Sequence, residues 1–367
     1  MLLPPCGGNW TGLHAPVFAI QEPAKTPPSK PGRMIYFLTT KRHDYTIRKC
    51  LRSEGKCLQA IVQPMCYAAL FLKRRFPRGT YVFADHERLT ESDLDKLHSV
   101  CEQLRRDPHI RLLNLPDRTL GRLALLERLH QAGINDFTGY RLEDQPRPQR
   151  FPVFVRGEDD HKGPLSSLIE TQPELDAVYE QWSGRWGKAS RKLVIEHCDV
   201  ADEHAVYRKY AAFRIGDAIL PRHLFFGSNW CVKSWELLDE HLLAEEREYI
   251  DAFPHHDQLQ QIFDLAGVEF GRIDYGVRDG KLQVWEINTN PMLPVNYGGG
   301  GSARQALHEA FNQRFNDAMR VIDTPCDVEG ESSLSVRPAV PIWAAPALAA
   351  RFVYRRATRG QRKKVAV

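Results

Sequence analysis

The chain of 367 residues has no apolar run long enough to cross a bilayer, no pair of cysteines in CxxC spacing and no strong excess of charge of one sign. The first absence excludes a membrane-spanning helix, which needs about 20 consecutive apolar residues. Eight scattered cysteines give neither a zinc-finger pattern nor a secreted disulfide framework, and they point to a reducing, cytoplasmic interior. A formal net charge of +4 is too small to argue for nucleic acid as a partner. The opening MLLPPCGGNW lacks the cationic start and continuous apolar core of a signal peptide. What remains is ordinary globular material, 43% hydrophobic and 26% charged, long enough for two or three cores.

Residues 1–33 are rich in proline and glycine and show no periodicity, so they read as a disordered extension. Met34 opens a strand, MIYFLTT, and could be an alternative start of the folded protein. Apolar strands near Ile35, Leu58 to Val62, Tyr81 to Ala84 and Ile110 to Leu115 alternate with helical segments such as Asp93 to Leu104. That alternation predicts a small parallel α/β domain over residues 34–116. In an open sheet of this kind ligands bind beyond the carboxyl ends of the strands, which places Thr39 to Asp44 (TTKRHD) as an acceptor or carboxylate contact. From 323 to 367 the chain loses its pattern and ends strongly basic after Arg351, a solvated tail or a contact for an acidic partner or anionic surface.

The densest chemistry lies in Phe270 to Met292, FGRIDYGVRDGKLQVWEINTNPM. Alternation in Phe270 to Val277 and again in Lys281 to Asn288 predicts two strands, with Arg278-Asp279-Gly280 as the turn between them. A three-residue loop with Gly280 in the left-handed position would pair Val277 with Lys281 and set Asp274, Glu286 and Asn288 on one face. A strict two-residue Asp-Gly turn would separate Asp274 from Glu286. Three hard oxygen donors on adjacent rungs suit magnesium together with phosphate oxygens and water. An ordinary solvated hairpin is the alternative, opposed by the apolar neighbours of Glu286 in VWEIN, where an unpaired carboxylate is costly to bury.

GRID followed by a strand ending EINTNP resembles the C-terminal signature of the ATP-grasp superfamily, and GRID with E-x-N-x-x-P is especially similar to D-alanine:D-alanine ligases. Glutathione synthetases and RimK-like ribosomal-protein glutamate ligases belong to the same superfamily. The resemblance implies an α/β and α+β fold: an N-terminal parallel α/β domain, then two lobes enclosing ATP over 117–322, divided at 197/198. It implies ATP with two magnesium ions, for which manganese could substitute, held by Asp274, Glu286 and Asn288. Arg272 would face the reacting carboxylate or its tetrahedral transition state.

Other stretches fall in superfamily order. Leu120 to Ala132 has helical spacing and stops at Gly133, and Arg122 stands where the superfamily opens such a helix with a cation. Pro152 to Arg156 is a short strand ending in a second cation. Both superfamily lysines would then be arginines, which keep the charge and bind phosphate bidentately with different local geometry. The segment GEDDHKGPLSS would cover the triphosphate; it is poor in glycine, leaving His161 and Lys162 as phosphate contacts or as an exposed turn. The strand Lys192 to Glu196 resembles the hinge whose backbone meets adenine, which implies contacts from Glu196, His197 and Cys198 and a ribose contact from Asp199, Asp202 or Glu203.

On the strands Val206 to Ile215 and Ala218 to Phe226, Arg208, Tyr210, Ala212 and Arg214 share a face. Arg214 is a catalytic candidate with Arg272 and Lys162, because a triphosphate and an acyl phosphate need several cations. Arg222, His223 and Asn290 are candidates for the second substrate; the solvated side of a half-buried sheet is the alternative for the cations. Gly298 to Gly301 precede a helix from Ala303 to Phe315 and offer either amides for an anion or a flexible connector. The expectation is an ATP-dependent ligase that activates a small-molecule or peptide carboxylate as an acyl phosphate and joins it to an amine or thiol. A kinase on the same fold and a non-catalytic nucleotide-binding regulator are the alternatives, and a homo-oligomer is left open.

Overall fold

The computed structural model describes residues 34–159, 163–183, 191–234, 236–237, 239–295, 301–323, 333–337 and 339, with the side chains of 301–303 excepted. The expected extension over 1–33, the candidates His161 and Lys162, Gly298 to Gly300 and the basic end of the chain lie outside these residues.

The first part of the chain runs β1 (Ile35–Thr39), α1 (Tyr45–Arg52), β2 (Val62–Cys66), α2 (Tyr67–Leu72), β3 (Arg75–Pro77), β4 (Gly79–Phe83), α3 (Glu91–Leu104) and β5 (Ile110–Leu113). Strands β2-β1-β4-β5 form a parallel sheet in that order. Every residue of β1 and β4 is buried, as expected of parallel strands covered on both faces. Helix α3 starts where the Thr90 side chain accepts the Asp93 N–H, with Glu91 and Asp93 in its first turn favouring the positive end of the helix dipole. The strand expected at Leu58 to Val62 begins only at Val62, because Lys56–Leu58 form a 3-10 turn that buries Leu58 without strand pairing.

The remainder contains α4 (Arg122–Gln131), β6 (Gly139–Arg141), β7 (Val153–Gly157), α5 (Gln172–Ser183), β8 (Lys192–Glu196), β9 (Tyr207–Ile215), β10 (Ala218–Gly227), α6 (Glu240–Ala252), α7 (His256–Ala266), β11 (Phe270–Arg278), β12 (Lys281–Asn288), α8 (Gly301–Val321) and β13 (Ser333–Ser335). Two antiparallel sheets result, β6-β8-β7 and β10-β9-β11-β12, while β13 returns to pair with β3. The architecture is mixed α/β, with one parallel sheet and separate antiparallel sheets.

Helix α8 ties the halves together. Its Phe311, Phe315 and Met319, with Ile322 just beyond it, share one core with Ile35 and Phe37 of β1, Leu113 of β5, Phe213 and Ile215 of β9 and Phe270 of β11. Asn114, fully buried, does the same with polar atoms: its Nδ2 donates to Phe270 O (2.6 Å), and its Oδ1 accepts the Glu269 and Phe270 N–H groups (2.8 and 2.9 Å). A buried amide with both ends satisfied fixes where β11 begins relative to β5.

Candidate functional site

The β11–β12 hairpin turns on two residues, not three. Asp279 and Gly280 both have positive φ (51° and 75°), and Arg278 pairs with Lys281, so this is the tight Asp-Gly turn whose twist matches antiparallel strands. Continued without interruption, that register would set Asp274 against Trp285 and put Glu286 on the other face. The ladder shifts between Tyr275 and Asp274. Tyr275 pairs with Val284 and Asp274 with Glu286, and Trp285 is the extra residue of a bulge. Beyond the bulge Arg272 pairs with Asn288, so Arg272, Asp274, Glu286 and Asn288 occupy one face. The expected shared face is present; the expected loop is corrected, because the bulge supplies the one-residue offset instead of the turn.

The bulge has its own support. Asn135, beyond the end of α4, lies against the free edge of β12 and acts as a substitute strand, its Nδ2 donating to Val284 O and its Oδ1 accepting the Val284 N–H, both at 2.8 Å. Gly276 gives room for the extra indole: a Cβ there would come within 3.0 Å of the Trp285 ring and 3.1 Å of Val200.

Among the described residues, two cations meet each carboxylate. Asp274, 2% exposed, accepts from Arg272 Nε and Nη2 (2.7 and 2.9 Å) and pairs with Lys209 Nζ (2.9 Å). Burial acts to raise its carboxyl pKa, and the nearby Arg272 and Lys209 outweigh it and hold the group below its ordinary value. Glu286 accepts from Arg122 Nη2 and, at 3.0 Å, from Arg156 Nη2. Arg122 is the first residue of α4 and also donates to the carbonyls of Gly157 and Glu158 (2.8 and 2.7 Å), joining the helix to the segment after β7. Arg156 reaches Glu286 from β7, sharing the face of Phe154. Asn288 is buried and its Oδ1 accepts the Asn290 N–H (2.9 Å).

Beside these groups lies an open cleft. Its walls are aromatic and aliphatic, including Phe154, Ile195, Trp230 and Trp285, and its charged lining comprises Arg156, Lys209, Lys233, Asp274 and Glu286. Trp230 packs on Phe154 (ring centroids 4.8 Å) and edge-on to His197 (5.4 Å). Burial lowers the pKa of His197 and raises that of the Cys198 thiol, so both present neutral surface to the cleft. An apolar slot lined in part by mixed charge matches a flat heterocycle joined to an anionic chain.

The sequence-expected residues divide. Arg156, Glu196, His197, Cys198, Asp274 and Glu286 line the cleft. The Glu196 side chain is 2% exposed and turned inward, accepting from Tyr140 Oη (2.8 Å) and from the Gln149 N–H (3.2 Å), so what it offers a ligand is backbone. Asp199 is exposed and accepts the Ala201 N–H (3.1 Å), and Asp202 is committed to Arg208 (2.5 Å); neither is among the lining residues.

Arg214 is a correction. Antiparallel pairing sets Ala211 opposite Asp274 and Phe213 opposite Arg272, so the odd-numbered residues of β9 share the site face. Arg214 points to the reverse face, onto Asp264 of α7 (2.5 Å) and over the Phe263 ring. Lys209 has the site-facing parity, and parity combined with strand pairing would have found it; the sequence shows no signal for Lys233 or Trp230. Asn290 is also corrected as a substrate contact. Its Oδ1 accepts from Thr46 Oγ1 (2.7 Å) and its Nδ2 donates to His43 O (3.2 Å), so both ends of the amide join the segment after β12 to α1 and the loop before it.

His223 pairs with Ala211, in the same row as Asp274, and is buried with its ring stacked on Phe225 (3.7 Å). Burial, together with Arg272, Arg222, Lys209 and Arg304, pushes its pKa well down and keeps it neutral. Arg222 sits at the β10 irregularity with its guanidinium over Phe311 (4.4 Å). Neither residue lines the cleft.

Among the described residues no three His, Cys, Asp or Glu side chains gather as a metal cage. The donor set at the site is two carboxylates and one amide oxygen. It fits magnesium, which takes few protein ligands and completes its shell with phosphate oxygens and water.

No family model matches the chain, and no curated protein does either. Solved structures with a similar fold include D-alanine:D-alanine ligase from Bacillus anthracis (14% identity, TM-score 0.44, covering 79% of this chain and 98% of that one). A RimK domain ATP-grasp protein from Sphaerobacter thermophilus has 13% identity and TM-score 0.45 over 81% of this chain and all of its own. L-amino acid ligase from Bacillus licheniformis has 12% identity and TM-score 0.40 over 84% of this chain and 78% of its own.

Proposed function

We propose that this chain is an ATP-grasp ligase, activating a carboxylate as an acyl phosphate with ATP and magnesium and joining it to an amine or thiol. The observation that carries the reading is the bulge at Trp285, which sets Asp274 opposite Glu286 on one sheet face in the charged lining of an aromatic cleft. A buried pair of carboxylates costs stability unless neutralised. Here each is held by two cations that are themselves suited to phosphate.

Asp274, Glu286 and Asn288 would hold magnesium, which would supply positive charge against the triphosphate. Arg122 and Arg156 then exchange Glu286 for phosphate oxygens, a bidentate partner of the same charge. Lys209 beside Asp274 and Lys233 in the cleft lining add positive charge, which fits the transfer of a phosphoryl group to a substrate carboxylate. Phe154, Trp230 and Trp285 enclose the base and exclude water. Arg272, one rung from Asp274, is placed to stabilise the oxyanion that develops when the nucleophile attacks the acyl phosphate.

The test is magnesium-dependent ATP consumption by the purified full chain, supplied with the small-molecule fraction of a cell extract and the proteinogenic amino acids. Asp274→Asn and Glu286→Gln are each expected to lower it by at least about a hundredfold. Unchanged turnover in both variants overturns the assignment. A stable phosphate ester as product, in place of a new amide or thioester with free phosphate, assigns a kinase; ATP binding without turnover in any mixture assigns a regulator.

A further inference from the structure

The parallel sheet has its topological switch point between β1 and β4. From β1 the chain moves to β2 on one side, while β4 lies on the other. Loops leaving the carboxyl ends of two such strands diverge and open a crevice, the usual ligand position in open α/β sheets. Here the first loop supplies Thr40 and His43, and the second supplies Asp85, whose backbone is held left-handed (φ 62°).

The three side chains form a closed arrangement. His43 Nδ1 lies 2.9 Å from Asp85 Oδ2, and Thr40 donates its hydroxyl to the same oxygen and its backbone N–H at 3.2 Å. Asp85 is 1% exposed, and Arg88 Nε pairs with its second oxygen at 2.6 Å. A carboxylate fixed in this way accepts the proton on Nδ1, which sets the tautomer and leaves Nε2 as a lone-pair base. The His43 side chain keeps 29% of its surface accessible while Nδ1 is engaged by Asp85.

This arrangement abuts the end of the candidate metal strand. Thr289 Oγ1 accepts the Asp85 N–H (2.9 Å), Asn290 Nδ2 donates to His43 O (3.2 Å), and the Asn290 N–H donates to Asn288 Oδ1 (2.9 Å). One residue therefore separates His43 from the proposed metal-binding amide, through hydrogen bonds that join the loop before α1 to the segment after β12. A merely structural joint is already provided by Asn290 and Thr46; a partly accessible histidine oriented by a buried carboxylate adds a proton acceptor to it.

We propose that His43, oriented by Asp85, is the general base for the nucleophile in the second half-reaction. The proposal rests on the ligase reading above. An amine nitrogen attacks the acyl carbon; one N–H proton passes to His43 Nε2, the new C–N bond forms, the C–O bond to phosphate breaks, and phosphate leaves with the bonding electrons. His43 then returns the proton to solvent. Asp85 and Thr40 are positioning residues in this scheme, since they act through the imidazole.

The experiment separates the two half-reactions. Full-length wild type, His43→Gln and His43→Ala receive magnesium, ATP and the same mixture of extract small molecules and proteinogenic amino acids, with and without hydroxylamine. Hydroxylamine is largely unprotonated at neutral pH and captures acyl phosphate without a base. His43→Gln is expected to retain ATP-dependent hydroxamate formation and to lose on the order of 10²–10⁴-fold in native amide formation. Added imidazole is expected to restore amide formation in His43→Ala but not hydroxamate formation beyond its starting level. Equal loss of hydroxamate and amide, or native amide formation unchanged in His43→Gln, overturns the general-base role. Absence of both products in the wild type overturns the ligase reading itself, a distinct result from either of these.

Discussion

Asp274 stands directly opposite Glu286 across the β11–β12 ladder, although the tight turn at Asp279-Gly280 would by itself have placed Trp285 there. The bulged tryptophan thus does two things: it returns both carboxylates to one face, and it contributes its indole to the wall of the cleft. Asn135 holds this geometry from the strand edge, and its removal is the first way to examine it.

Asn135→Ala leaves the buried N–H and C=O of Val284 without their side-chain partner. Unfolding by urea should show a loss of about 1–3 kcal/mol. Because Val284 immediately precedes the bulge, calorimetry should also show weaker binding of magnesium-ATP in the folded variant.

Arg122 and Glu286 are an almost fully buried ion pair, with side chains 5% and 12% exposed. Removing one partner leaves charge without its counterpart, so Arg122→Ala and Glu286→Gln should each destabilise the chain. The double variant should be less destabilised than the sum of the two, by about 1–2 kcal/mol in a double-mutant cycle. Strict additivity would show that Arg122 contributes through the Gly157 and Glu158 carbonyls alone.

Lys209 and Arg214 provide a comparison across the two faces of β9. Lys209→Gln removes a cation from Asp274 and from the charged lining of the cleft, and should lower ATP turnover by about ten- to a hundredfold. Arg214→Gln breaks a pair with an aspartate that is 54% exposed and a bond to the Gly216 carbonyl (2.9 Å), so its stability cost should stay below about 2 kcal/mol. Its turnover should remain within about twofold of wild type on the same bounded cost.

Magnesium-ATP should stabilise the chain by mass action, by about 2.7 kcal/mol at a hundred times its dissociation constant. The increase should appear as an upward shift in thermal unfolding. Chelation of magnesium should remove most of it, since the triphosphate would then meet Asp274 and Glu286 without an intervening cation.

Acid should weaken the fold through the histidines beside Arg222 and Arg304. Burial, then those two arginines, lower His308 to about 4, and His223 moves in the same direction. Between pH 6.5 and 4 the unfolded chain therefore binds a proton at His308 that the folded chain does not, so the stability this residue contributes above pH 6.5 declines as pH falls and levels off below about 4. In urea titrations at pH 7 and pH 5, His308→Gln should show a smaller loss than wild type.

Much of this organisation was legible in residue order. Short apolar runs mark β1 and β4, alternation marks β9, β11 and β12, the Asp-Gly pair marks the hairpin turn, and Gly133 closes the helix that Arg122 opens. These are local signals, because side-chain period and turn stereochemistry depend on a few neighbouring residues. The sequence by itself therefore determined which segments become strands and helices and which carboxylates and cations stand close along the chain.

Tertiary structure alone decided which of those groups meet. The bulge at Trp285 depends on Asn135, 149 positions before Val284. The choice of Lys209 over Arg214 depends on how β9 is paired with β11, and the orientation of His43 depends on Asp85, 42 residues away. Such outcomes follow from register and from buried polar groups finding partners across long loops, where a one-residue offset exchanges the faces of a strand.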